Sequence, residues 1–318
     1  IAAALKEAFQ VSGGEQRRRN HLMQRRLRRY NVRRWASDFL NSLLGMEEIQ
    51  KRIESKLLTP TVKNEIMARY RVSRRRLLFF DYDGTLTPLV RHPEMAKPDP
   101  SIITLLKRLV DDTRNCVVIT SGRDRRTLEE WLGELPLGLV AEHGAWSRRA
   151  GLSWQRTKAA ANEWKRELVP TLEIYADRLP GSFVEEKEES LAWHYRLTDP
   201  EQAELRAPEL VDHLVNLTAK TDLQVVQGNK VVEVRRAGVD KGSAAGTWID
   251  GGEFDFILAL GDDATDEDLF RSLPPQAISI RVGIGGTDAQ HNIRNSAESL
   301  ELLRSLADAG ESNTIPPE

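Results

Sequence analysis

Across 318 residues there is one cysteine, Cys116. A single thiol excludes a disulfide framework within the chain and fits a reducing compartment, so the expected location is cytoplasmic. No apolar run approaches the ~20 residues that a membrane-spanning helix needs, and no membrane partner is expected. Internal repeats and low-complexity tracts are also missing. So is a start methionine: Ile1 opens the chain with no charged-then-apolar signal stretch behind it, and the sequence reads as a piece of something longer. What is there, 40% hydrophobic and 30% charged residues, is the composition of a soluble globular protein. The length allows two modest domains, or one core carrying a large insertion. Cys116 lies in the apolar run Cys116-Val117-Val118-Ile119 and reads as core.

A net charge of −2 hides an uneven distribution. Residues 1–76 hold the runs Arg17-Arg18-Arg19, Arg25-Arg26, Arg28-Arg29, Arg33-Arg34 and Arg74-Arg75-Arg76. Leu22, Leu27, Tyr30, Val32, Trp35, Phe39 and Leu43 recur among them at helical spacing. An amphipathic helix with a solvated basic face is the commoner cause of such a pattern, and no nucleic-acid partner is expected. A short helix over 2–9, a long one over 15–44 stopped by Gly45, and a charged helical linker over 46–73 interrupted at Thr59-Pro60 are predicted.

Beyond Arg76 short apolar runs end on polar residues. Leu77-Leu78-Phe79-Phe80 ends at Asp81, Cys116–Ile119 at Thr120-Ser121, Leu137–Ala141 at Glu142, and Phe254–Leu260 at Gly261-Asp262-Asp263; a last strand is predicted over 276–282. Helical stretches over 100–112 and 124–133 lie between the first of them. This alternation predicts an α/β fold with a doubly wound parallel sheet. Between about 148 and 237 the texture changes. A hairpin over Trp146–Arg156, a helix over 159–178, strands over 182–187 and 190–196, a helix over 200–218, and strands over 223–227 and 230–236 make an inserted α+β unit. The expected organisation is an N-terminal helical extension (1–45), a linker (46–74), a core in two parts (75–147 and 238–318) and a cap (148–237).

Polar groups just past parallel strands gather at the carboxyl edge of the sheet, where such folds keep their ligands. Asp81 and Asp83, two residues apart in Asp81-Tyr82-Asp83-Gly84-Thr85, repel unless a cation or proton lies between them. Magnesium suits: it takes carboxylate and carbonyl oxygens and leaves room for phosphate. In Thr120-Ser121-Gly122-Arg123 a hydroxyl can donate to a phosphoryl oxygen. Gly261-Asp262-Asp263-Ala264-Thr265-Asp266-Glu267 supplies an acidic loop to close the metal site. Lys241, opening a helix after Asp240, offsets phosphate charge. Each motif alone has a bland explanation as a turn or a surface pair; the four in order do not.

That order resembles the haloacid dehalogenase superfamily of phosphatases. The resemblance implies Asp81 as a nucleophile forming an aspartyl phosphate and Asp83 as general acid and base, with Ser121 and Lys241 also catalytic. It further implies a magnesium ion held by the Asp81 carboxylate, the Asp83 carbonyl and Asp262, with Asp263 and Asp266 beside it. Ile119–Arg123, Ala141-Glu142-His143-Gly144, Phe183–Lys187 with Ser190–Arg196, and the 261–267 loop resemble trehalose-6-phosphate phosphatases. Carried over by position, Arg123, Glu142 and His143 contact the sugar phosphate from the core, and Glu185, Lys187, Arg196 and Glu233 from the cap. Glu185 and Lys187 share one strand face and could instead simply pair. His143 has a packing alternative, and His194 among aromatics reads as structural.

Arg25–Leu44 is similar to the C-terminal end of trehalose-phosphate synthases, which implies a synthase domain as covalent or non-covalent partner. The substrate so implied is trehalose 6-phosphate. Another sugar phosphate such as sucrose phosphate is the alternative within the chemistry, and a catalytically silent regulatory part of a trehalose synthase complex is the alternative outside it.

Overall fold

A computed structural model describes residues 11–29, 36, 39–40, 55–90, 95–157 and 162–311. The chain divides into two units, Ile1–Ser55 and Lys56–Glu318. In the first, α1 (Gly13–Arg29) is helical, and Glu15 bonds Arg18 and Arg19 one turn on, both at 2.8 Å. The helix predicted over 2–9, the Gly45 stop and the linker residues 46–54 lie outside the described residues, as does most of 30–44.

In the second unit, Thr59-Pro60 starts a helix where an interruption was predicted. The Thr59 hydroxyl accepts from Val62 N, and Pro60 takes the first helical position, where a missing N–H costs nothing, so α2 runs Pro60–Val72. There follow β1 (Arg76–Asp81), α3 (Pro100–Asp111), β2 (Asn115–Thr120), α4 (Arg125–Leu132) and β3 (Gly138–Ala141). A 3₁₀ turn (Glu142–Gly144) leads into β4 (Trp146–Arg148) and β5 (Gln155–Arg156). The next stretch holds α5 (Trp164–Arg178), β6 (Phe183–Glu186), β7 (Ser190–His194), α6 (Pro200–Thr218), β8 (Leu223–Gly228) and β9 (Val231–Arg236). The chain then makes α7 (Lys241–Asp250), β10 (Phe256–Gly261), α8 (Ala264–Ser272), β11 (Ile278–Val282), β12 (His291–Ile293) and α9 (Ser296–Glu311).

Eight strands form the larger sheet in the order β12-β11-β10-β1-β2-β3-β4-β5, parallel from β12 to β3. The predicted hairpin forms, and pairs antiparallel on β3 as the edge of this sheet rather than joining the inserted unit. Strand alternation splits the core in two. Leu78, Phe80, Ile119 and Leu258 face α2, α3, α4 and α9, while Leu77, Phe79, Val118 and Ala259 face α7 and α8. Helices on both faces make the sheet doubly wound, as predicted. Cys116 packs, partly buried, against the second layer.

The smaller sheet, β6-β7-β9-β8, is antiparallel. One face, with Leu191, Trp193, Val232 and Val234, packs on α5 and α6 as a separate core. The opposite face faces the carboxyl edge of the larger sheet.

Candidate active site

Register places the acidic groups. Asp81 ends β1 opposite Thr120 of β2, and Gly261 ends β10 on the other side, so Ser121 and Asp262 emerge on either flank of Asp81. Asp81 is 4% exposed. Its Oδ1 accepts from Lys241 Nζ at 2.6 Å, and Lys241 Nζ also donates to Asp266 Oδ1 at 2.7 Å. Lys241 is held there because the Asp240 side chain caps α7, making Lys241 its first residue. Asp266 Oδ2 accepts from the backbone N–H groups of Asp262 and Asp263 at 3.0 and 3.2 Å, tying down the loop after β10.

Carboxylate oxygens of Asp81, Asp262 and Asp266 lie within 4.8 Å of one another. Burial pushes all three carboxyls up, Asp262 to about 7 and Asp266 to about 6, and each also feels its acidic neighbours; the Lys241 ammonium works the other way. Burial opposes the charge on Lys241, but Asp266 and Asp81 carry its pKa up. Burial also opposes the charge on Asp263, yet Lys241, His143 and the Thr265 hydrogen bonds bring it down to about 2.

One ammonium among these carboxylates leaves negative charge uncompensated in a largely buried site. Asp81 Oδ2 is buried with no hydrogen-bond partner among the described residues. An orphaned carboxylate oxygen inside an all-oxygen cluster fits a hard divalent cation. Both oxygens of Asp266 are already bonded, so it suits a place behind the ligands. The backbone crowds here too. Gly84 has φ +82°, and a Cβ on it would lie 2.1 Å from Asp262 Oδ2.

Above this floor a cavity of about 490 Å³ opens between the two sheets. Of the residues expected at the site, Asp81, Asp83, Arg123, His143, Lys241, Asp262 and Asp263 line it from the core side. Glu185, Lys187, Arg196 and Glu233 line it from the smaller sheet. Three do not. Asp266 lies behind Lys241. Ser121 is 1% exposed, with Oγ accepting from Arg123 N at 3.1 Å and its own proton left to donate. Glu142 points elsewhere, Oε2 accepting from Glu189 N at 2.7 Å, into a separate void of about 10 Å³. The sequence reading put Glu142 with the sugar contacts; in the structure it instead joins the cap hairpin to the core.

The other contacts are specific. Arg123, expected on substrate, holds the Asp83 carboxylate with Nε and Nη2. Lys187 is partly buried and donates to Gly122 O at 3.0 Å. Its 3.6 Å approach to Glu185 shows that the pairing and the cavity position coexist. Burial opposes the Glu185 charge, yet the His194 hydrogen bond at 2.8 Å and Lys187 bring it to about 2. His143 Nε2 lies 3.2 Å from Glu233 Oε2, and burial drives its pKa to about 4. Glu142 and His143 both have positive φ, 45° and 54°, a strained pair that aims two neighbouring side chains apart. A Cβ on Gly122 would meet the His143 ring at 2.3 Å. Arg196 is exposed and donates to Asn229 O at 2.9 Å.

Sequence reading missed the anchors of the cap hairpin. Arg125 makes two bonds to Glu188, at 2.8 and 3.0 Å, and Arg156 reaches Glu189 at 2.6 Å. Partners so far apart in sequence leave no local signal. It also missed Phe183, although period-2 alternation puts it on the face of Glu185.

Residues 79–305 match the family model described as trehalose-phosphatase. The chain is 40% identical over 307 residues to a bifunctional trehalose-6-phosphate synthase/phosphatase of Thermoproteus tenax, covering 96% of this chain and 42% of the relative. It is 37% identical over 265 residues to a trehalose-phosphatase of Saccharomyces cerevisiae, covering 76% of this chain and 30% of that protein. The chain thus spans less than half the length of each of these relatives. The C. albicans trehalose-6-phosphate phosphatase C-terminal domain superposes with a TM-score of 0.74 at 32% identity, covering 79% of this chain and 97% of that one. The chain belongs to the trehalose-phosphatase family.

Proposed function

We propose that the chain hydrolyses trehalose 6-phosphate to trehalose and inorganic phosphate through an aspartyl phosphate on Asp81. The observation that carries this is the unpartnered Asp81 Oδ2 on the floor of a cavity whose roof bears Glu185, Lys187 and Glu233. Magnesium, held by the Asp81 carboxylate, the Asp83 carbonyl and Asp262, would neutralise phosphoryl charge when bound. An Asp81 oxygen bonds to phosphorus as the bond from phosphorus to the sugar oxygen breaks, and the proton from Asp83 goes to that oxygen. In the second half water attacks the phosphorus, its proton returns to Asp83, and Asp81 is freed as phosphate leaves. Lys241 fixes the Asp81 carboxylate and offsets charge throughout, and Ser121 donates to a phosphoryl oxygen.

The substrate follows from the roof. Hydroxyl groups of a sugar call for charged acceptors and donors in a shielded site, and Glu185, Lys187, Glu233 and Arg196 supply both. Relatives named trehalose-phosphatase and trehalose-6-phosphate phosphatase support the same substrate. We read β4 and β5 as part of the core, so the cap begins after Arg156 and ends near 237. Relatives carrying synthase in their names support a synthase domain as partner. Among the described residues no helix is long and apolar enough to cross a membrane. A cytoplasmic setting rests on the lone cysteine. The test is a panel of trehalose 6-phosphate, sucrose 6-phosphate and glucose 6-phosphate with magnesium; a preference for sucrose 6-phosphate would reassign the substrate.

A further inference from the structure

The cavity face of the smaller sheet is laid out in rows. Strand pairing aligns Glu185 with Ala192 and Ala192 with Glu233. The same ladder aligns Phe183 with His194 and His194 with Val231, one step away. All six line the cavity. The first row carries two carboxylates with a methyl group between them, which leaves space for a ring bearing hydroxyl groups. The second carries a flat aromatic stack. Phe183 stacks on His194 with centroids 4.8 Å apart and planes at 19°, and the His194–Glu185 hydrogen bond holds the imidazole in place. Phe183 is nevertheless 44% exposed, a large aromatic face left open to the cavity. Val184, its neighbour, packs into the cap core, so Phe183 has no room on the other side.

Distance along β6 orders the rows from the phosphoryl end. Lys187 touches Gly122, next to Ser121, which makes the Lys187 end of the strand the phosphoryl end. At about 3.3 Å per residue, Glu185 lies roughly 6.6 Å farther out and Phe183 roughly 13 Å out. A pyranose ring is about as wide as one such step. Leu89 and Val90 from the core, with Leu197 from the cap, line the cavity too and add apolar surface. A sugar ring has an apolar C–H face and a polar rim, so a ring beyond the Glu185–Glu233 row meets an aromatic platform.

We infer that the Phe183–His194 stack binds the pyranose ring farther from the phosphate and sets the preference for a disaccharide phosphate over a hexose phosphate. This rests on the sugar-phosphatase reading above. A hexose phosphate fills the row at Glu185 and stops short of Phe183, whereas a disaccharide covers both rows.

The test measures kcat/KM for trehalose 6-phosphate and glucose 6-phosphate with the full chain, magnesium present, in wild type, Phe183→Ala and Phe183→Trp. Phe183→Ala should lower the disaccharide-to-hexose ratio by about tenfold, mostly through KM, as expected for losing one aromatic contact. Phe183→Trp should keep the ratio within about twofold, since the platform remains. Equal losses on both substrates, or an unchanged ratio in Phe183→Ala, would overturn the inference and leave the phosphatase reading standing. Calorimetric binding of trehalose and glucose separates the opposite case. If wild type hydrolyses neither phosphate yet binds trehalose more tightly than glucose, and Phe183→Ala loses that difference, the platform stands and the activity falls. Equal binding of the two sugars by wild type overturns the platform.

Discussion

Arg123 grips Asp83 through both carboxylate oxygens, Nε donating to Oδ2 at 2.8 Å and Nη2 to Oδ1 at 2.7 Å. The guanidinium lies 4.6 Å from the Trp131 ring centre, which steadies it. In this pose Asp83 only accepts. Giving a proton to a leaving alcohol requires it to turn away from Arg123. Asp83→Asn cannot give or take that proton, so kcat on a sugar phosphate should fall about 10²–10⁴-fold. A nitrophenyl phosphate, whose leaving group needs no proton, should lose far less in the first chemical step, read as a burst of nitrophenol. Equal damage to both bursts would remove Asp83 from the acid role.

Lys187 reaches from the cap to the core, bonded to Gly122 O at 3.0 Å. Lys187→Ala should reduce kcat/KM for trehalose 6-phosphate far more than for a small aryl phosphate that has no sugar to be held. A parallel loss on both would deny the cap its part in choosing the substrate.

Gly84→Ala attacks the floor. The residue would keep φ +82° at a cost of about 1–2 kcal/mol, and its new Cβ would sit 2.1 Å from Asp262 Oδ2. The expected outcome is a lower melting temperature together with a weaker apparent affinity for magnesium, read from activity against metal concentration. An unchanged metal dependence would mean that Asp262 does not need its present place.

Glu142 gives a pH signature with a definite sign. Burial lifts its folded-state pKa from 4.5 to about 7, so below 4.5 the carboxyl is neutral in both states and costs nothing. Between about pH 4.5 and 7 the unfolded chain releases this proton while the folded chain keeps it, and stability falls as pH rises. Glu142→Gln lacks the effect. The stability of the variant relative to wild type should therefore climb from pH 4.5 to 8, by an amount on the order of a few kcal/mol. Melts at both ends measure it, and a flat or falling difference would contradict the burial argument.

The strands bearing Asp81, Ser121 and Asp262 were legible because a buried parallel strand is a short apolar run, and each ends on the polar residue that matters. Both core layers follow from the same alternation. β12 is only three residues, His291–Ile293, with little hydrophobic pattern, and it went unread. β4 and β5 were read as a hairpin, but their placement on β3 depends on pairing that local sequence does not encode. At the site, residue types announced the carboxylates and Lys241. The division of labour among Glu142, His143 and Glu233 did not show, because positive φ at Glu142 and His143 decides which way each side chain points. Arg123 looked like a substrate contact, and only the fold reveals Asp83 as its present partner.

Phosphate release from trehalose 6-phosphate by wild type and Asp81→Asn, each with magnesium and again in chelator, bears on the nucleophile and the cation at once. Wild type should release phosphate only with magnesium, and Asp81→Asn should stay at background under both conditions while remaining folded. Release that survives the chelator would mean that no cation is needed at the acidic cluster, and substantial turnover by Asp81→Asn would mean that the Asp81 carboxylate is not the group that meets phosphorus.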